Sequence, residues 1–117
     1  MAAERARAVE QQALAAEKAG NNNRRNGYAV YRWDDGDVFA GSFDASEKKG
    51  GPGVMRFANV LAGKHQFNVG DMYQGEYAND SRTGYGVHTR SDGSVVHAGL
   101  WSDGVPVSGK CVSKTLL

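Results

Sequence analysis

"GDMYQGEYANDSRTGYGVHTRSDG", residues 70–93, decides the fold. Tyr73, Gly75 and Tyr77 stand at i, i+2 and i+4, so on a strand all three share one face. A glycine between two rings leaves bare backbone on which a ring from a neighbouring strand can lie, which is one reason for a strand to accept its entropic cost. Asp92-Gly93 closes the stretch with a hairpin-turn signal, because such turns need the positive φ that glycine supplies without strain.

The same text recurs along the chain. "GYAVYRWDDGDVFAGSF" (27–43) aligns with "GYGVHTRSDGSVVHAGLW" (84–101), and "GPGVMRFANV" (51–60) fits their first halves. The ring-glycine-ring triplet appears as Phe39-Gly41-Phe43, Tyr73-Gly75-Tyr77 and His97-Gly99-Trp101. A second turn signal, Asp35-Gly36, precedes the first triplet. Sixteen glycines against two prolines therefore mark a repeat array with a period near 24 (51 − 27 = 24), interrupted by an insertion over 61–70. Each unit reads as strand, tight turn, strand.

In this spacing the chain resembles the MORN (membrane occupation and recognition nexus) repeat family, whose unit runs tyrosine, any, glycine, any, aromatic, then a spaced pair of glycines. Tyr73, Gly75, Tyr77, Gly84 and Gly86 match that unit, and Phe39, Gly41, Phe43, Gly51 and Gly53 match a second with phenylalanine for tyrosine. His97, Gly99 and Trp101 open a third without the glycine pair, while Gly27 to Gly36 is a tail half lacking its head. The resemblance covers about residues 27–105. It implies a mainly β fold: an elongated, single-layer antiparallel sheet of successive hairpins. Gly36, Gly41, Gly51, Gly53, Gly75, Gly84, Gly86, Gly93 and Gly99 are then its structural glycines.

A thin sheet has two faces to cover, and the choice of turn decides which residues share one. An odd loop at Gly36 sets Tyr31 opposite Gly41 and Trp33 beside Phe39, and gathers Tyr31, Trp33, Phe39, Phe43, Met55, Phe57, Tyr73, Tyr77 and Trp101 on one surface. These nine are the candidate partner-binding residues, weighed against the alternative that rings of this kind simply stack as the sheet's own core.

Residues 1–20 are different text: rich in Ala, Glu, Gln, Lys and Arg, they predict an α-helix ended by Gly20-Asn21. Ala2, Ala6, Val9, Ala13 and Ala16 form one small-residue stripe that would let another helix or a flat sheet approach closely, and Ala6, Val9 and Ala13 join the partner-binding candidates, the adaptor reading having this helix dock elsewhere than the aromatic face. The organisation read from the sequence is helix 1–20, polar linker 21–26, sheet 27–109 with its insertion, and tail 110–117. Lys64, His65 and Phe67 in the insertion are candidates for a second contact.

Catalytic patterns are lacking: there is no nucleophile elbow or phosphate loop, and "GPGVMR" and "GYGVHT" lack the third glycine of a dinucleotide fingerprint. His88 and His97 would face each other across a two-residue turn at Asp92-Gly93, but too few further ligands stand nearby for a metal, and stacking is the simpler reading. The chain is therefore expected to be a non-enzyme without metal or cofactor. Its net charge of +1 is made of interspersed residues, which does not suggest nucleic acid. The lone Cys111 has no internal disulfide partner, and with no apolar run for a leader or span the expected address is the cytoplasm. By family resemblance the expected role is an adaptor subunit of a cytoskeletal assembly, in particular a ciliary axoneme. A peripheral adaptor for anionic membrane lipid is not favoured, since Lys48, Lys49 and Arg56 are mixed with Asp37, Asp44 and Glu47. Regulation of an enzyme in trans is the remaining alternative.

Overall fold

The computed structural model describes residues 2–107, so Cys111 and the 110–117 tail lie outside the described residues. One helix, α1 (Ala2–Lys18), precedes seven strands: β1 (Tyr28–Arg32), β2 (Val38–Phe43), β3 (Lys49–Arg56), β4 (Met72–Ala78), β5 (Ser81–Thr89), β6 (Val95–Ser102) and β7 (Val105–Pro106). The strands pair in chain order as one antiparallel meander, 43 × 25 × 23 Å overall with the helix. The fold is mainly β, an open sheet with an N-terminal helix.

Turn chemistry sets the register. At the first hairpin Trp33 N–H donates to the Asp37 carbonyl and Gly36 N–H to the Trp33 carbonyl, both at 3.0 Å, with Gly36 at φ 101°. The loop is therefore odd, as expected. Its register is two residues away from the expected one: Tyr31 pairs with Phe39, and Gly41 pairs with Ala29. The reason is that such a loop needs its left-handed residue in third place, so Gly36 closes Asp34-Asp35-Gly36 instead of sitting at its centre. A shift of two leaves every side chain on its expected face. Asp92-Gly93 obeys the same rule, with Arg90 N–H donating to the Ser94 carbonyl at 2.9 Å. His88 and His97 do face each other, but through a register irregularity beside Thr89 and not through a two-residue turn.

The repeat glycines form a track across the sheet. Gly41 pairs with Gly53, Gly53 with Gly75, Gly75 with Gly86, and Gly86 with Gly99. Each ring over this track covers two glycines, one two residues on along its own strand and, as expected, one on the neighbouring strand: Phe39 covers Gly41 and Gly53, and Tyr73 covers Gly75 and Gly86. Strand side chains lean along their own strand, so a ring at i reaches the glycine at i+2 and the one paired with it. A Cβ at Gly75 would stand 2.7 Å from the Tyr73 hydroxyl, closer than any real contact allows.

The helix ends as expected: Gly20, at φ 82°, donates to the Glu17 carbonyl (3.1 Å) and Asn21 to that of Ala16 (2.8 Å), a Schellman closure. Of the two surfaces expected for its stripe, a helix or a flat sheet, it meets a sheet, and that sheet is the chain's own and not a partner's. Ala6, Val9 and Ala13 are buried on the chain's own sheet, Ala13 against Val30 and Ala40 with Leu14 and Val38 alongside. A short Ala-rich helix is marginal alone, and the aliphatic face of the sheet offers it the burial that the small-residue stripe needs. Arg7 donates to Gln74 (2.8 Å), Arg56 pairs with Glu10 (3.0 Å) and Arg32 with Glu17 (2.9 Å), so the helix crosses the strands from β4 to β1.

Candidate interaction surface

With α1 on the aliphatic face, the aromatic face carries the rest of the core. Phe39 meets Phe43 and Tyr77 edge-on, at 5.4 and 5.1 Å between centroids, and Tyr73 meets Tyr77 and Trp101 the same way at 5.2 and 5.1 Å. Edge-on pairing places the positive ring edge on a negative ring face, which favours this arrangement over flat stacking. Trp101 Nε1 donates to the Gly86 carbonyl (3.0 Å) and the Tyr73 hydroxyl to that of Glu76 (2.8 Å). The Tyr77 hydroxyl is buried without a hydrogen-bond partner among the described residues, and burial raises its pKa.

Of the sequence candidates, Phe39, Phe43, Met55, Phe57, Tyr73, Tyr77 and Trp101 are buried within the chain, while Tyr31 and Trp33 remain half-buried at its edge. Those two rings lie 4.6 Å apart, the most accessible part of the aromatic cluster. Ala6, Val9 and Ala13 are spent on the chain's own sheet and offer no surface.

The insertion behaves differently from a free loop. Phe57 N–H donates to the Asp71 carbonyl (2.9 Å), and Leu61 and Phe67 exchange backbone hydrogen bonds at 2.9 and 3.0 Å, so it folds as a closed flap. Phe67 is fully buried, stacked on Phe57 at 4.3 Å and tilted on His88 at 4.0 Å, which corrects its reading as an outward contact. Lys64 stays exposed, as do Val60, Leu61 and Val69.

Beneath the flap runs a hydrogen-bonded chain. His88 Nε2 lies 2.7 Å from Asp71 Oδ2, and His65 Nε2 lies 2.7 Å from His88 Nδ1. An ionised carboxylate only accepts, so His88 donates from Nε2, accepts at Nδ1, and receives the His65 proton there. Both ring nitrogens of His88 are thus engaged. Burial, then the facing His88, Arg82 and His97, push His65 down to about 4 against the opposing pull of Asp71. Burial likewise holds His88 below its ordinary value, although Asp71 pulls it upward.

Three cations lie over the rings. Arg24 Cζ is 4.7 Å from the Tyr31 centroid, and Lys49 Nζ is 5.6, 5.7 and 5.6 Å from those of Trp33, Phe39 and Tyr77. Arg82 Cζ is 4.6 Å from Phe67 and 5.7 Å from Trp101. Ring faces attract cations, and Arg82 is further held by donating to the Gly104 carbonyl from Nε and Nη2 at 3.1 and 2.6 Å. From the sequence Lys49 is weighed only within a mixed-charge patch for lipid, and Arg24 and Arg82 are not candidates; nothing in the linear text marks a cation that will cross a sheet to a ring.

The family model of the MORN repeat matches residues 21–38 and 73–95. These two stretches are MORN repeats. The second match spans β4 and β5, and the first ends on the β1 hairpin. The MORN-like unit at 39–53 lies between the two matches, and its Gly41–Gly53 pairing repeats the Gly75–Gly86 pairing of β4 and β5. No curated protein matches the chain.

Proposed function

We propose that this protein is a non-enzymatic adaptor that binds another protein through its aromatic face. MORN repeats suggest a binding scaffold, and one observation selects the face: α1 occupies the aliphatic side, while Tyr31 and Trp33 stand half-buried at the edge of the other. Aromatic rings that are partly exposed and packed on each other are favourable anchors for a partner. The reading extends to a subunit of a cytoskeletal assembly, in particular an axonemal complex, on the strength of the resemblance to small proteins built of these repeats.

Removing residues 1–20 would uncover Val30 and Ala40 and would not simply delete a docking arm, so it is not the deciding test. That test is affinity capture from the source cells with the full chain and with a Tyr31→Ser/Trp33→Ser variant whose fold is checked by circular dichroism. A defined set of cytoskeletal proteins held by the full chain and lost by the variant is the expected result. Equal capture by both would overturn the assignment of the face.

A further inference from the structure

The helix side of the sheet contains a template for the other side. On α1, Glu10 and Glu17 are one heptad apart, and they pair with Arg56 on β3 and Arg32 on β1, two strands apart. The match is geometric: seven helical residues rise about 10.5 Å, and two strand spacings are about 9.6 Å. A helix crossing the strands can therefore set one carboxylate over every second strand.

The aromatic face shows cations associated with alternate strands and no helix above them. Arg24 lies over Tyr31 of β1, Lys49 belongs to β3 and Arg82 to β5. Against them stands Asp80, 3.4 Å from Lys49, while the buried Asp71 is turned to His88; neither Arg24 nor Arg82 has a carboxylate partner among the described residues. Arg32 and Arg56, on the opposite side, are each matched by a glutamate of α1.

We propose that the aromatic face receives a helix from another protein, lying across β1, β3 and β5, with carboxylates one heptad apart that meet Arg24, Lys49 and Arg82. This rests on the adaptor reading and specifies the chemistry of its partner. A helix suits the row better than an extended strand. Residues at i, i+7 and i+14 stay within about 40° of one helix face, whereas strand residues about 10 Å apart, at i and i+3, point to opposite sides. A single file of three cations is also narrower than the basic clusters of about four to eight residues that hold anionic membranes.

The test uses the full chain and fluorescein-labelled helical peptides of one composition: glutamates one heptad apart, the same glutamates out of heptad spacing, and lysines in their place. Fluorescence anisotropy is expected to show the heptad peptide binding about tenfold more tightly than the respaced one, weakening as salt rises. Arg24→Glu/Lys49→Glu should lose that preference and favour the lysine peptide. Arg24→Glu alone, at an exposed site, should lose part of it and serves if the double variant fails to fold. Equal binding of the three peptides would overturn the proposal, as would binding only to phosphatidylserine vesicles. If the peptides are not distinguished while Tyr31→Ser/Trp33→Ser still loses its cellular partners, the acidic-helix inference falls and the adaptor reading stands. If both tests fail, both readings fall.

Discussion

His65 carries the sharpest consequence at the scale of single residues. Its folded pKa of about 4 lies below its ordinary 6.5, and His88 is shifted the same way. The unfolded chain therefore takes up protons more readily, so the contribution is whole above pH 6.5 and is lost as pH falls from there toward 4. The basic side chains facing the pair, Arg82, Arg90 and His97, add to the cost of protonation, and Asp71 partly offsets it. Urea midpoints measured from about pH 7 to about pH 4.5 should fall more steeply for the native chain than for His65→Gln, which keeps a polar side chain but cannot titrate. Parallel slopes would show that the His65–His88 contact does not resist protonation. His65 was legible in the sequence only as a candidate contact residue in the insertion, because its partner is 23 positions away.

At the scale of elements, the insertion is a structural lid and not a loose excursion. It exists because the strand pairing between β3 and β4 continues past Arg56 and Met72 through Phe57 and Asp71, which brings Phe67 back over the rings. Phe67→Ala should therefore cost about 3–5 kcal/mol, the usual range for a buried aromatic. Val69→Ser, at 63% exposure on the same flap, should leave stability nearly unchanged. Chemical denaturation of both variants checks this, and similar midpoints would contradict the lid. The helix teaches the companion lesson. Its stripe of Ala6, Val9 and Ala13 was readable as a surface that wants close approach, and its end at Gly20 was readable from turn chemistry. Which surface it approaches depends on Val30, Ala40, Arg32 and Arg56, residues whose common face appears only once the hairpins have set their register.

The whole molecule is an open sheet, and an open sheet has edges that can recruit further strands. The β1 edge is closed by one side chain: Asn22 accepts from Val30 N–H at 2.7 Å and donates to the Val30 carbonyl at 3.0 Å, imitating a paired strand. Asn22→Ala should leave that edge bare, and concentration-dependent self-association by analytical ultracentrifugation is the expected outcome. A variant that stays as monodisperse as the native chain would show that the edge is protected by something else.

Taken by itself, the sequence determined the repeat, its glycines, the odd loop at Gly36, the N-terminal helix and the collection of rings on one side. These follow from φ restrictions, strand alternation and capping, all of which act within a few residues. Tertiary structure decided the remainder: that α1 covers the aliphatic face, that Phe67 folds under the flap, that His65, His88 and Asp71 join, and that Arg24, Lys49 and Arg82 lie over the rings. Each of those contacts depends on which strands become neighbours, and a loop of about ten residues can close in many ways at nearly equal entropic cost, so the outcome is selected by burial and charge pairing in the assembled sheet.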